Sequence, residues 1–516
     1  MNKLITLLFC AILSLPVFAQ ERQISGKVTD AGRAGIPGVT VLVKGTSSGT
    51  VTALDGTYQL KVNGGTLVFS FVGYATQEIA IGNQSVINVK LLEDAKMLDE
   101  LVVIGYGAQK KKDLTTAVAV VDDKEIRDRP IVSAAQALQG KAAGVQVIQP
   151  SGKPGAGLAV RVRGATSVIA GNDPMYVVDG VQTTDISGIN PLDIASMTVL
   201  KDASAAAIYG ASGANGVVLI TTKRGSAAEP TISFNTYFGV STLRKTIDVL
   251  NTKQYRDLMQ EIGVPMDPSW TKFNDWLGLT IGNGQQQSYQ LSVSGGNEKS
   301  KYFISGSYLN EVGMVKPAIF DRYTLRANLD NEIKPWLKIG TSFNVWTINS
   351  KDTPDNASSG RGGVIMSALN TPPFLSVYKD DGSGWFDPNP FQPSWENPVA
   401  YMDGPDQKSR DYKVFGNVYA EVKLAKDFNF KTRAGLDLTN HKYDYYLDPF
   451  RTNYGRQNHG IGRSDQATHS VWQLENTFDY AKSFGKNNLT ALAGSSIQKY
   501  YGNGAYLEGT DYPDDT

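Results

Sequence analysis

The chain has 516 residues, with 50 Lys+Arg balanced by 50 Asp+Glu. That length suggests three or more domains or one large β structure, and the neutral balance argues against a nucleic-acid binder, which needs a basic face. A lone cysteine, Cys10, excludes a disulfide framework or thiolate metal site, and His441, His459 and His469 are too few for a His-rich metal centre.

The N-terminus reads as a targeting segment. Lys3 supplies the charged start, Leu4 to Leu15 is an apolar stretch too short to span a bilayer, and Val17-Phe18-Ala19 ends in small residues suited to cleavage. Residues 1–19 are therefore expected to be a signal peptide. No later run has 18 consecutive apolar residues, so the exported chain is either soluble or a transmembrane β-barrel.

Residues 20–92 predict a small β-sandwich. Ile24 to Val28, Val39 to Val43, Tyr58 to Val62 and Leu67 to Phe71 are short alternating runs, and Asp55-Gly56 is a hairpin turn. Residues 93–112 read as a linker that begins with Glu93 and Asp94 and ends with Lys110, Lys111 and Lys112. Within it, Val102, Val103 and Ile104 favour an extended backbone. Such a segment either ends the preceding domain as its last strand, the reading favoured on these residues alone, or pairs with a partner's sheet edge.

Residues 113–228 change character, with small residues and mixed helix and strand signals. Ser133 is placed to cap a helix from Ala134 to Lys141, ended by Gly144. Val145 to Val147, Ala159 to Arg163, Met175 to Asp179 and Val217 to Thr221 are strand-like. The glycines from Gly152 to Gly157 lack the Gly-Lys-Ser/Thr end of a phosphate loop and read as a turn. Arg161 and Arg163 read as solvated or internally paired rather than as an anion site.

From residue 229 the pattern is one of segments of about ten residues that alternate apolar and polar, the spacing of a transmembrane strand. Nine strands are expected, near 231–240, 286–295, 300–310, 320–331, 336–347, 410–424, 427–440, 470–481 and 487–499. Their connections alternate long and short, as short periplasmic turns and longer outside loops do. One strand face then points into a wet lumen and the other meets outer-membrane lipid. Thr252 to Ile262, with Tyr255, Leu258, Met259 and Ile262 on one face, predicts a short helix in the first long loop. Asp380-Asp381-Gly382 lacks the ligand spacing of a calcium loop and reads as a solvated turn. No nucleophile–base arrangement is visible, so no enzyme, catalytic residue, metal or cofactor is expected.

The middle of the chain carries a family resemblance. Leu138 to Val145, Val162-Arg163-Gly164, Pro174 to Gly180, Val199 to Gly210 and Asn215 to Gly225 resemble, in order and spacing, the plug of SusC/RagA-type TonB-dependent outer-membrane transporters. Val293 to Asn297 and Trp336 to Gly340 resemble the family's early barrel strands, and residues 20–92 its carboxypeptidase-regulatory-like domain. Asp99-Glu100-Leu101-Val102-Val103-Ile104-Gly105-Tyr106-Gly107 is similar to its TonB box.

The resemblance implies a mainly β fold: an N-terminal β-sandwich, an α+β plug (113–228) and part of a transmembrane antiparallel β-barrel (229–516). It implies outer-membrane localisation, with the N-terminal domain and TonB box in the periplasm. The implied activity is import of a glycan oligosaccharide or peptide, with a SusD-like surface lipoprotein as lid and TonB, with ExbB and ExbD, as the energy source. A receptor with a mainly signalling role is the alternative.

Nine strands fall short of the roughly 22 of a plugged barrel, so an N-terminal fragment that does not close as a monomer is expected. Trp385, Phe386 and Trp395 lie in the longest loop, 348–409. They are placed either to stack on a substrate or to anchor the loop at the barrel rim.

Overall fold

The computed structural model describes residues 22–30, 34–46, 48–62, 64–71, 74, 76–82, 84–91, 101–104, 107–110, 118–127, 129–165, 167, 171–353, 363–391, 396–485 and 487–512. The expected signal peptide lies outside them. The chain divides into two units, 1–102 with 109–114, and 103–108 with 115–516.

In the first unit, Arg22–Thr29 pairs antiparallel with Thr57–Val62 and parallel with Val89–Lys90. A second sheet runs Gly49–Val51, Thr40–Val43, Thr66–Ser70, Gln77–Ala80. Strict alternation along Thr57–Val62 buries Tyr58, Leu60 and Val62 and exposes Thr57, Gln59 and Lys61. Val41, Leu67 and Phe69 complete the same core from the other sheet. The Tyr58 ring meets Phe69 edge-on at 5.5 Å and its hydroxyl donates to the Ile87 carbonyl at 2.8 Å, so burial leaves no polar atom wanting. At the Asp55-Gly56 turn, Gly56 has φ 83°, and Asp55 accepts the Thr57 amide at 3.0 Å.

Leu101–Ile104 and Gly107–Lys110 form a two-stranded sheet of their own. The plug is built on a five-stranded sheet in the order Val118–Asp122, Ile194–Leu200, Val217–Thr222, Met175–Val178, Val181–Thr183. Beside it, Val145–Ile148 pairs with Ala159–Val162. Ile194–Leu200 and Val217–Thr222 are buried along most of their length, which is why neither alternates. The expected helix from Ala134 to Lys141 is instead a short 3₁₀ turn, Ala134–Leu138. Ser133 caps it as expected, through a capping box with Gln136, and the left-handed Gly140 (φ 73°) follows it closely.

All nine expected barrel strands are present, in one antiparallel sheet that follows chain order: Thr231–Ser241, Gly284–Gly296, Ser300–Val312, Ile319–Lys334, Leu337–Asp352, Pro405–Ala425, Phe428–Leu447, Ile461–Phe484 and Asn487–Thr510. The connections after the second, fourth, sixth and eighth strands are tight turns, so one end of the sheet carries every long loop.

The later strands are much longer than expected, and their extra residues lie at the long-loop end. On Ile461–Phe484 the residues facing away from the plug are Tyr480, Phe478, Asn476, Leu474 and Trp472, then Ser470, Thr468, Gln466 and Ser464. Ten residues of tilted strand rise about 25 Å, the height of a lipid-facing band. Past that band both faces are polar and the alternation that marks a strand disappears. The helix in the first long loop forms as expected, Thr252–Glu261, capped by Asn251.

Candidate functional site

The site is the seam where the plug lies on the lumen face of the sheet. It begins with a hairpin, Met175–Val178 to Val181–Thr183, turned by Asp179 (φ 48°) and Gly180 (φ 87°). Positive φ at both central residues is what a two-residue hairpin of the right twist requires, and Asp-Gly supplies it.

The turn is pressed onto the wall. Asn417 donates to the Asp179 carbonyl at 3.2 Å, and Gln473 and Arg433 donate to the Gly180 carbonyl at 3.3 and 3.4 Å. A Cβ on Gly180 would come within 1.8 Å of Arg433 Nη1. The Asp179 carboxylate accepts the Thr222 amide (3.0 Å), the Thr222 hydroxyl (2.6 Å) and the Ser342 hydroxyl of the wall (2.7 Å).

A second plug carboxylate stands nearby. Asn190 caps the 3₁₀ turn Pro191–Asp193, which presents Asp193 to Gln290 Nε2 at 2.6 Å and Ser305 Oγ at 2.8 Å on the wall. Between the two carboxylates sits Arg326 of Ile319–Lys334, 1% exposed, 3.5 Å from Asp179 and 3.6 Å from Asp193. The two aspartates respond in opposite senses. Burial pushes Asp179 up, but Arg326, Arg224 and the Thr222 bonds outweigh it and hold the carboxyl below its ordinary range. For Asp193 burial wins over Arg326 and Ser305, and the carboxyl is raised.

Flanking contacts repeat the pattern. Lys413 lies 3.2 Å from Asp437 and from the Thr183 hydroxyl, which itself donates to Asp437 at 2.7 Å. Arg322 donates to the Ser187 and Val132 carbonyls at 2.6 and 3.0 Å. Arg224 pairs with Asp330 of the wall at 2.5 Å, while Lys223 beside it pairs within the plug with Asp123 at 2.8 Å. Trp346 packs so closely on Gly188 that a Cβ there would fall 2.0 Å from the ring. The seam holds the plug on the sheet through many moderate bonds, each of a kind that water can replace.

The candidates from the sequence are distributed as follows. Leu101–Ile104 and Gly107 of the TonB-box segment are in the two-stranded sheet; Asp99, Glu100, Gly105 and Tyr106 lie outside the described residues. Phe386 is 1% exposed, stacked on Tyr378 at 5.1 Å inside the loop core, and so presents no free ring face. Trp385 is 36% exposed and carries Arg456 over its ring at 4.2 Å. Trp395 lies outside the described residues.

The loop core itself joins the first and third long loops through Trp276, Leu277, Ala368, Phe374 and Val399, with Trp270 stacked on Phe374 at 4.4 Å. Arg161 pairs with Asp173 and Arg163 with Asp202. The Gly152–Gly157 turn lies against the wall, where the Gly155 amide donates to Glu311 at 3.0 Å. Asp381 accepts the Ser383 amide in a surface turn. Sequence reasoning did not single out Asp193, Arg326 or Lys413. The available signal was charge on the lumen face of strands whose other face is apolar.

The family model for the TonB-dependent receptor plug domain matches residues 110–217, and that for the CarboxypepD_reg-like domain matches residues 24–103. TonB-dependent receptor P3 of Formosa agariphila is 38% identical over 98% of this chain and 50% of its own length. TonB-dependent receptor SusC of Bacteroides thetaiotaomicron is 32% identical over 98% of this chain and 53% of its own. The structure of the RagAB peptide importer in its open-open state superposes with TM-score 0.68 at 28% identity, over 80% of this chain and 50% of that one. The chain spans about half the length of the curated relatives it matches. By their names these relatives are receptors and importers rather than enzymes.

Proposed function

Since the chain belongs to the SusC/RagA-type TonB-dependent receptors, we propose that it serves energised import of a large nutrient, a glycan oligosaccharide or a peptide, across the outer membrane. Residues 1–19 direct export, and residues 20–112 work in the periplasm. Asp99 to Gly107 pairs with TonB, which draws its energy through ExbB and ExbD, and a SusD-like lipoprotein closes over the long-loop end.

The observation that carries this reading is the two-faced sheet. Its one face is bonded to the plug through Arg326, Asn417 and Gln473, while its other face presents Leu325, Val418 and Leu474 outward. A gated pore in lipid needs both, and a soluble sandwich needs neither.

The test is uptake of labelled oligosaccharide and peptide pools by cells with and without TonB. TonB-dependent accumulation supports the reading. Accumulation that persists without TonB makes the protein a passive pore and removes it.

A further inference from the structure

The outward face of the wall carries a charge arrangement that import does not use. Lys413, Asn417 and Arg433 face the plug, to which they are bonded. Strand alternation therefore turns Lys408, Arg410 and Tyr412 outward. Pairing sets Lys351 directly opposite Lys408, and Arg410 directly opposite Lys442. Two like-charge pairs thus occupy successive outward rows, although directly opposed like charges destabilise a sheet.

The next rows toward the tight-turn end are Thr347, Tyr412 and Asn440, then Val345, Val414 and Leu438. On the preceding strands the ring row continues as Tyr289, Tyr308 and Tyr323, stacked at 6.5 and 4.7 Å. On the strand of Arg410 the ring of this row is Tyr412. Arg410 stands two residues, about 7 Å along the strand, beyond it.

The neighbouring carboxylates offset only part of the charge of the four cations, although Asp444 stands directly opposite Lys408. Asp406 lies 2.6 Å from Lys408 and 3.7 Å from Lys351. Asp444 lies 2.9 Å from Lys442, accepts the Ser464 hydroxyl and sits in the field of Arg410. Asp321, on the Arg410 row beyond Asn349, is bonded to Tyr308 and Asn310. Arg410 is exposed and donates to the neutral Asn349 side-chain oxygen at 3.0 Å.

We propose that Lys351, Lys408, Arg410 and Lys442 bind the phosphate-bearing headgroup of an outer-leaflet glycolipid, whose acyl chains lie on Tyr412, Val414 and Leu438. A phosphate between Arg410 and Lys442 relieves the pair that no carboxylate bridges, and the planar Arg410 fork suits phosphate oxygens. The proposal rests on the membrane-spanning reading above and adds a ligand that is not cargo.

The test uses receptor extracted from outer membranes, delipidated and followed by native mass spectrometry. The probes are a phosphorylated glycolipid, the same glycolipid with its phosphate removed, and a phosphorylated sugar without acyl chains. The wild type is expected to retain the phosphorylated lipid selectively. Arg410→Gln with Lys442→Gln is expected to weaken retention about tenfold or more, the scale of charge-assisted hydrogen bonds. Arg410→Lys keeps most of it, and Lys482→Gln at the tight-turn end leaves it unchanged.

Equal retention of the two lipids, or no loss in the double variant, overturns the proposal. Tight binding of the chain-free sugar assigns the site to a free anion and also overturns it. Fractionation of every variant with the outer membrane is scored separately. A variant set that reaches the membrane but shows no phosphate selectivity sinks the lipid site alone, whereas wild-type protein absent from the membrane sinks the import reading.

Discussion

Arg326→Gln is the most informative single change. In the wild type Arg326 is 1% exposed, and its two carboxylate contacts are 3.5 and 3.6 Å, beyond hydrogen-bond length. Attraction at that separation does little more than offset the desolvation of the three charges, so the triad as a whole adds little net stability. Removing the cation alone is different, because it leaves two buried anions facing each other, and breaking a buried pair in this way costs about 3–5 kcal/mol.

The low end, about 3 kcal/mol, is expected here. Asp179 keeps its bonds to Thr222 and Ser342, and Asp193, already raised, can take up a proton. The readout is hydrogen exchange of Met175–Thr183 and Asn190–Leu200 in detergent-extracted receptor. At pH 7 exchange should quicken about a hundredfold, as about 3 kcal/mol requires.

The pH dependence has a definite sign. Asp193 binds its proton more tightly folded than unfolded, so the contribution tied to it is full below the unfolded value and lost as pH rises through the folded one. The loss is deeper without Arg326, so mild acidification should restore protection to the variant. Asp179 runs the other way: its contribution is present above the ordinary carboxylate range and lost only as pH falls through its depressed folded value. Arg326→Met combined with Asp193→Asn should recover protection to within about 1 kcal/mol of wild type. Exchange in Arg326→Gln within about threefold of wild type at pH 7, roughly 0.6 kcal/mol, would refute the reasoning.

Gly180→Ala should destabilise the docked hairpin by about 1–2 kcal/mol from its left-handed backbone alone, with Arg433 displaced as well; faster exchange at Val178 and Val181 reports it. Val103→Pro removes an amide donor from Leu101–Ile104 and should abolish uptake while leaving surface ligand binding intact; normal uptake would end the TonB-pairing assignment. Trp385→Ala should weaken ligand or lid binding roughly two- to tenfold, the worth of one aromatic contact, and unchanged affinity for both, by calorimetry, leaves Trp385 as a rim anchor. Residues 20–92, expressed alone, should give one cooperative thermal transition, because Ile24, Val28, Leu67 and Phe69 close a core within them; a chain without a transition shows that core to be insufficient.

What the sequence disclosed follows from period and local chemistry. The nine wall strands were legible because Tyr323, Leu325, Ala327 and Leu329 face away from the plug while Thr324, Arg326 and Asn328 face toward it, a period of two that survives without knowledge of neighbours. The ends of Pro405–Ala425 and Ile461–Phe484 were not, since beyond the lipid band both faces are wet. Ser133 announced a helix start correctly, but the length of that helix was set by packing of Ala134 and Leu138 into the plug core, which no cap encodes. Val118–Asp122 and Ile194–Leu200 were missed because neither alternates. Asp193 and Ser305 meet across 112 residues, and nothing local to either tells of the other. Phe386 resembled an exposed loop aromatic, yet it is the one the loop core consumes.

The place of Val118–Asp122 in its sheet has a mechanical meaning. Among the described residues it is the first strand of the plug in chain order and stands at the sheet's edge, with one neighbour, Ile194–Leu200, paired from Val118↔Leu200 to Asp122↔Ser196. If TonB pairs with Leu101–Ile104 as proposed, tension along the backbone would reach this strand before the other described strands of the plug. An edge strand has a single ladder to surrender, and its departure opens no interior pairing. At about 1 kcal/mol net for each bond, the ladder yields to work comparable with two protons crossing 100 mV, at about 2.3 kcal/mol each. The Asp123–Lys223 ion pair stands immediately behind it as the next element to take the load. The four remaining strands keep Asp179 and Asp193 on the wall, so on the proposed reading a first pull would shorten the plug by one strand and leave the rest seated.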